Sequence, residues 1–119
     1  MFDSYLTMYI EPGRPPGPPG QPGHLAPGQF ERIAKALSDP RRFAVLEMIA
    51  GAERQCAFQK MCQMFPVSKA TISHHVKELV QAGLVESERD GQYVHTRVLP
   101  GVIEAYAAEL VRRASGEGA

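Results

Sequence analysis

The chain has 119 residues, enough for one domain built around a single core. Lys plus Arg and Asp plus Glu both total 13, so no excess charge draws the whole chain to nucleic acid or to an acidic surface, and any such binding needs a local basic face. No apolar run approaches the ~20 residues that span a bilayer, and "MFDSYLTMYI" lacks the basic start of an export signal, so the expectation is a cytoplasmic protein with no membrane partner.

Phe2, Tyr5, Leu6 and Tyr9 recur at helical spacing, which suits a short amphipathic helix docking on the body or on a partner. Residues 11 to 28, "EPGRPPGPPGQPGHLAPG", hold seven of the ten prolines and five of the eleven glycines, the composition of an extended linker. Residues 1–28 are therefore read as a tail and linker, and residues 29–115 as the folded domain.

The first helix starts near Gln29, with Phe30, Ile33, Ala34 and Leu37 as its apolar stripe, and stops at "SDP". Asp39 is the expected N-cap of a second helix with Pro40 in its first turn; Phe43, Leu46, Ile49 and Ala50 face inward and Gly51 closes it. A third helix runs from about Ala57 to Phe65 and is stopped by Pro66. Ser68 caps a fourth, whose core stripe is Ile72, Val76, Leu79 and Val80 and whose stop is Gly83. The period then changes: "LVESERDGQYVHTRVL" holds two β-prone runs around Asp90-Gly91, a strong hairpin signal. A last helix, about Pro100 to Ala114, puts Val102, Ile103, Tyr106, Ala107, Leu110 and Val111 on one face.

Four helices, a hairpin and a helix make a mainly α domain with a small β-hairpin. Helices three and four are separated only by "FPVSK", and a hairpin follows directly, which is the layout of a winged helix-turn-helix. On a wheel of ~100° per residue, the face of helix four opposite Ile72 and Val76 carries Ala70, Thr71, His74, Lys77, Glu78 and Gln81, with Ser73 and His75 on its flanks. Ser68 to Lys77 contains no acid, and its hydroxyls, imidazoles and lysines are types that bond phosphates and base edges. Arg89 and Gln92 flank the wing turn and Arg41 and Arg42 open helix two, all candidates for phosphate contacts. Glu86, Glu88 and Asp90 make the wing less basic.

The segments "LSDPRRFAVLEMIA", "VSKATISHHVKELVQAGLV" and "ERDGQYVHTRVLP" resemble the ArsR/SmtB family of winged-helix transcriptional repressors, over about residues 30 to 110. The resemblance implies a homodimer joined through the first and last helices. It implies repression by binding a double-stranded operator, and release when an unknown small-molecule or metal inducer binds. It also places recognition contacts at Lys69, Ala70, Ser73 and His74, within a DNA-binding set that also takes in Ser68, Thr71, Lys77, Arg89, Gln92, Arg41 and Arg42. Ala70 stands where the family often has a polar side chain, so readout there is expected to be apolar or absent.

Metal-sensing members of that family use a "CxC" cluster at the third helix or a His/Asp/Glu set on the last. Here the third helix begins "CAF", and the last has neither histidine nor aspartate. Cys56 and Cys62 are six residues apart, ~9 Å along a helix and pointing in different directions, which suits neither a disulfide nor one zinc ion. Phe58, Met61, Cys62 and Phe65 form a core stripe, so Cys62 reads as buried and Cys56, just outside the helix, as the freer thiol. No cofactor is expected, and no catalytic constellation appears. Two other readings stay open: a thiol-based metal or oxidant sensor of this fold acting through Cys56, and a winged helix that binds protein through its tail and Pro-rich linker.

Overall fold

The computed structural model describes residues 25–116; the tail helix expected around Phe2 to Tyr9 and most of the linker lie outside them. The elements are α1 (Gln29–Leu37), α2 (Pro40–Gly51), β1 (Cys56–Ala57), α3 (Phe58–Met64), α4 (Lys69–Gln81), β2 (Val85–Asp90), β3 (Tyr93–Val98) and α5 (Val102–Ala114). This is a winged helix-turn-helix, with one strand beyond the expected hairpin.

Local chemistry explains most helix ends. The Asp39 carboxylate accepts from the backbone N–H of Arg41 at 2.9 Å and of Arg42 at 3.4 Å, with Pro40 in the first turn of α2. Ser68 Oγ accepts from the Thr71 N–H at 3.1 Å and starts α4. At the other end of α4, Gly83 has φ +76°, Leu84 N–H returns to the Leu79 carbonyl at 3.1 Å, and Leu84 is drawn into the core. That is a Schellman closure, and it points the chain into β2.

The sheet is antiparallel with strand order β1-β3-β2. In the hairpin Val85 faces Val98 and Asp90 faces Tyr93, so the two loop residues are Gly91 and Gln92, one position later than Asp90-Gly91. Gly91 takes the positive φ, +64°, that a tight turn needs. Two-residue β1 pairs Cys56 with Thr96 and Ala57 with His95, making β3 the central strand. Thr96 is fully buried there, and its hydroxyl bonds that of Ser87 at 2.8 Å across the sheet.

The core is one cluster in which Ile33 of α1, Leu46 and Ile49 of α2 and Met61 of α3 pack on Ile72, Leu79 and Val80 of α4, beneath Leu84 and Val85. Leu25, four residues ahead of the expected domain start, packs against it. Several faces differ from the sequence expectation. Ala36 is buried on α1 while Ala34 is exposed. On α2, Val45 points inward, whereas Phe43 (42% exposed) and Ala50 face solvent. On α5 only Val102 and Ala105 of the apolar residues are fully buried, and Ile103, Leu110 and Val111 remain exposed.

A polar clamp joins the first and last helices. Glu109 accepts from Arg112 at 2.5 Å and Arg113 at 2.7 Å, and Arg113 also reaches Glu31 at 3.2 Å. The Arg113 guanidinium lies 4.2 Å from the centre of the Phe30 ring, which stacks on Tyr106 at 5.0 Å. Both carboxylates sit below their usual range: Glu109 through its bonds to Arg112 and then Arg113, Glu31 through a backbone N–H and then Arg113.

Candidate nucleic-acid interface

The short turn between α3 and α4 leaves the N-terminal half of α4 with one face on the body and the other in solvent. Its inner face, Ile72, Val76, Leu79 and Val80, is buried. The outer face therefore cannot turn inward: Ser68, Lys69, Ala70, Ser73 and His74 are exposed, and Thr71 and Lys77 are half-buried beside them. Ser68 and Thr71 hold each other, with their hydroxyls 3.0 Å apart. The first acid is Glu78, past the N-terminal half of the helix. This surface offers hydroxyl, ammonium, imidazole and methyl groups in sequence, which suits both phosphates and major-groove base edges.

His75 departs from its neighbour. It is 6% exposed and faces the N-terminal turn of α2 rather than the exposed side of α4. That turn carries the two arginines, and the fold uses them differently. Arg41 is exposed. Arg42 is built in: its side chain is 12% exposed, its guanidinium donates to the Ala36 carbonyl at 3.2 Å, and it lies 3.7 Å from Asp39. Arg42 thereby ties the end of α1 to the start of α2, while Arg41 keeps its charge at the surface beside α4.

The wing residues sit at the end of the hairpin away from Val85, which adjoins α4. Arg89 Nε donates to the Gly91 carbonyl at 2.9 Å and so braces the turn. Gln92 Nε2 donates to the Tyr93 hydroxyl at 3.3 Å. Arg97 is paired with Glu86 across the strands, while Glu88 and Asp90 are exposed around Arg89. Tyr93, 47% exposed beside the turn, is the wing residue that sequence reasoning passed over; an aromatic directly after the turn was the available signal.

Cys56, expected to be the freer thiol, is the more buried of the two, while Cys62 packs against the core with Phe58 and Phe65, as its stripe implied, but is not fully covered. Cys56 is 3% exposed where β1 pairs it with Thr96 at the edge of β3, and burial pushes its thiol above the usual range. Cys62 is only half-buried. A strand of two residues has no period to read, so this placement was invisible in the sequence. Among the described residues, no group of three or more His, Cys, Asp and Glu side chains is arranged to hold a metal ion, and no helix is long and apolar enough to cross a membrane.

Known proteins share this arrangement. A MarR-family model matches residues 37–92, from the end of α1 through the wing turn. The transcriptional repressor SdpR of Bacillus subtilis is 33% identical over 63 residues, covering 53% of this chain and 68% of that protein. An arsenical resistance operon repressor of Staphylococcus xylosus is 36% identical over 63 residues, covering 53% of this chain but only 59% of its own length. Among solved structures, an ArsR-like transcriptional regulator from Rhodococcus sp. RHA1 superposes with a TM-score of 0.66 at 27% identity, over 75% of this chain and 82% of that one. A homodimeric winged helix-turn-helix DNA-binding domain from Mycobacterium bovis superposes with a TM-score of 0.57 at 28% identity, over 76% of this chain and 81% of that one. The family and fold are those of DNA-binding transcriptional regulators. The chain belongs to the ArsR/SmtB family of winged helix-turn-helix transcriptional regulators.

Proposed function

We propose that this regulator is a homodimeric repressor that binds a pseudo-palindromic operator through α4 and leaves it when an inducer binds. One observation carries the reading: the first turns of α4 expose Lys69, Ala70, Ser73 and His74 on a face free of acids, fixed to the body by a buried apolar face. Lys69 supplies phosphate contact, Ser73 and His74 reach base edges, and the Ala70 methyl packs against a thymine methyl. Ser68 and Thr71 set the start of the helix, with Lys77 and Arg41 as flanking phosphate contacts and Arg42 acting through the α1–α2 corner. Arg89 and Gln92 approach the backbone or minor groove at the wing, a smaller contribution because Glu88 and Asp90 stand beside them.

Two features support a dimer. Ile103, Leu110 and Val111 leave an apolar strip on α5 without cover from the described residues, and the Mycobacterium bovis relative is homodimeric. Two-fold symmetry would put the half-sites about one helical turn, ~34 Å, apart. Selection from random duplexes at fixed salt tests the reading, with parallel selections containing candidate metals, oxidants and small organic molecules. The expected product is a palindrome lost with one class of additive. Failure to enrich any palindrome, or a monomer at micromolar concentration, would overturn it in favour of a winged helix that binds protein.

A further inference from the structure

His75 sits in the middle of the recognition helix, one residue from exposed His74, yet it is 6% exposed, and neither ring nitrogen has a hydrogen-bond partner among the described residues. The charged groups acting on it are Asp39, Arg42 and Arg41 at the start of α2, and His74 on its own helix. The other elements packed on α4 present apolar side chains to the shared core: Ile33 from α1, Met61 from α3 and Val85 from β2. Asp39 is already committed to capping α2 and to Arg42. The imidazole therefore lies at the joint between the recognition helix and the α1–α2 corner, near two guanidinium groups and one occupied carboxylate.

An imidazole buried with both nitrogens unpaired costs free energy that an apolar side chain of similar size would not. What an apolar side chain cannot do is change charge. We infer that His75 is a positioning residue of the recognition helix, and that operator binding is linked to its protonation.

The neutral ring fits the joint. An imidazolium there would carry two N–H donors unpartnered in this geometry and a charge beside Arg41 and Arg42, with Asp39, whose Oδ1 already caps α2, as the one carboxylate to offset it. Relief comes from moving α4 away from α2, which shifts Lys69 to His74 relative to the groove. Burial already holds the imidazole below its ordinary value of 6.5, with the arginines adding to the effect and Asp39 opposing it. The folded joint therefore binds its proton less readily than the unfolded chain. Its stability is complete above the ordinary value and is lost as pH falls through the depressed folded value.

The inference rests on the reading of α4 as the DNA-contacting helix, so the test separates the two. Wild type, His75→Leu, His75→Gln and His74→Gln are compared as full chains between about pH 5 and pH 8 at constant ionic strength. Three quantities are read: imidazole NMR titrations, thermal unfolding, and fluorescence anisotropy with the selected duplex. Wild-type affinity should fall in acid, by no more than about tenfold per pH unit for one linked proton. Both His75 variants should lose that fall, and His74→Gln should keep it. The unfolding midpoint should drop in acid for wild type more than for His75→Leu. A His75 ring that titrates at or above the ordinary value, or identical pH profiles in wild type and both His75 variants, would overturn the inference. If no duplex binds even at pH 8, the operator reading fails, while the NMR and unfolding arms still decide whether the joint is proton-linked.

Discussion

The side chain of Gln29, at the first position of α1, donates from Nε2 to the carbonyl of Ala82, the C-cap of α4, at 3.0 Å. Its Oε1 accepts from the Ala26 N–H at 3.0 Å, so this buried amide fastens the entry of the chain to the exit of the recognition helix. A Cβ on Gly83 would stand 2.5 Å from that Nε2, at a φ of +76° that only glycine adopts easily.

Gln29→Ala should therefore destabilise by about 1–3 kcal/mol, the cost of a buried carbonyl left unpaired. Gly83→Ala should cost about 1–2 kcal/mol from backbone conformation, plus whatever is lost when Gln29 is displaced. Because both act through one contact, the double variant should cost less than the sum. Urea unfolding of the four proteins checks this, and strict additivity would refute the shared contact.

On α4, Lys69→Ala should weaken binding to all duplexes alike and lower the slope of log K against log salt by about one. His74→Ala should instead cost about 1–3 kcal/mol on the selected operator and relax preference at one base pair. Anisotropy titrations over a salt series separate the two effects. Equal losses on operator and random duplex for both variants would remove His74 from base readout.

Ser68 tests capping against contact. Ser68→Ala should lower stability by about 1 kcal/mol, since the Thr71 N–H loses its acceptor. Ser68→Asn keeps an acceptor and should recover most of that loss in thermal unfolding. A Ser68→Asn protein as unstable as Ser68→Ala would show that the hydroxyl pair with Thr71, not the cap, matters.

In acid, the clamp between α1 and α5 should loosen. Glu31 and Glu109 both lie below their ordinary value of 4.5 because of their hydrogen bonds, so their contribution is present above that value and lost as pH falls through the depressed folded values. Arg113→Gln should flatten this limb of the unfolding-midpoint profile, because Arg113 is the partner the two share. A profile unchanged by Arg113→Gln would mean that solvent screens the clamp completely.

Native thiol labelling should distinguish the cysteines. Cys62 should react first, and Cys56 only when the structure opens, because it is buried with a raised pKa. Mass spectrometry after timed alkylation reads the order. Rapid native labelling of Cys56 would restore it as a candidate sensor.

The helix boundaries were legible in the sequence because their causes are local. Asp39-Pro40, Ser68 and Gly83 act on backbone groups within a few residues, and each performs the capping or closing role its position implied. The exposed face of α4 was legible for a similar reason: once Ile72, Val76 and Leu79 face inward, helical geometry fixes where Lys69 and His74 point. Tertiary structure alone decided the rest. β1 is too short to have a period and exists only because β3 offers a free edge, which is how Cys56 became the buried thiol. Periodicity placed His75 on a flank, but only the start of α2 could bury it. Phe43 and the outer strip of α5 look like core in sequence and remain uncovered, because an apolar residue is buried only where another element packs against it.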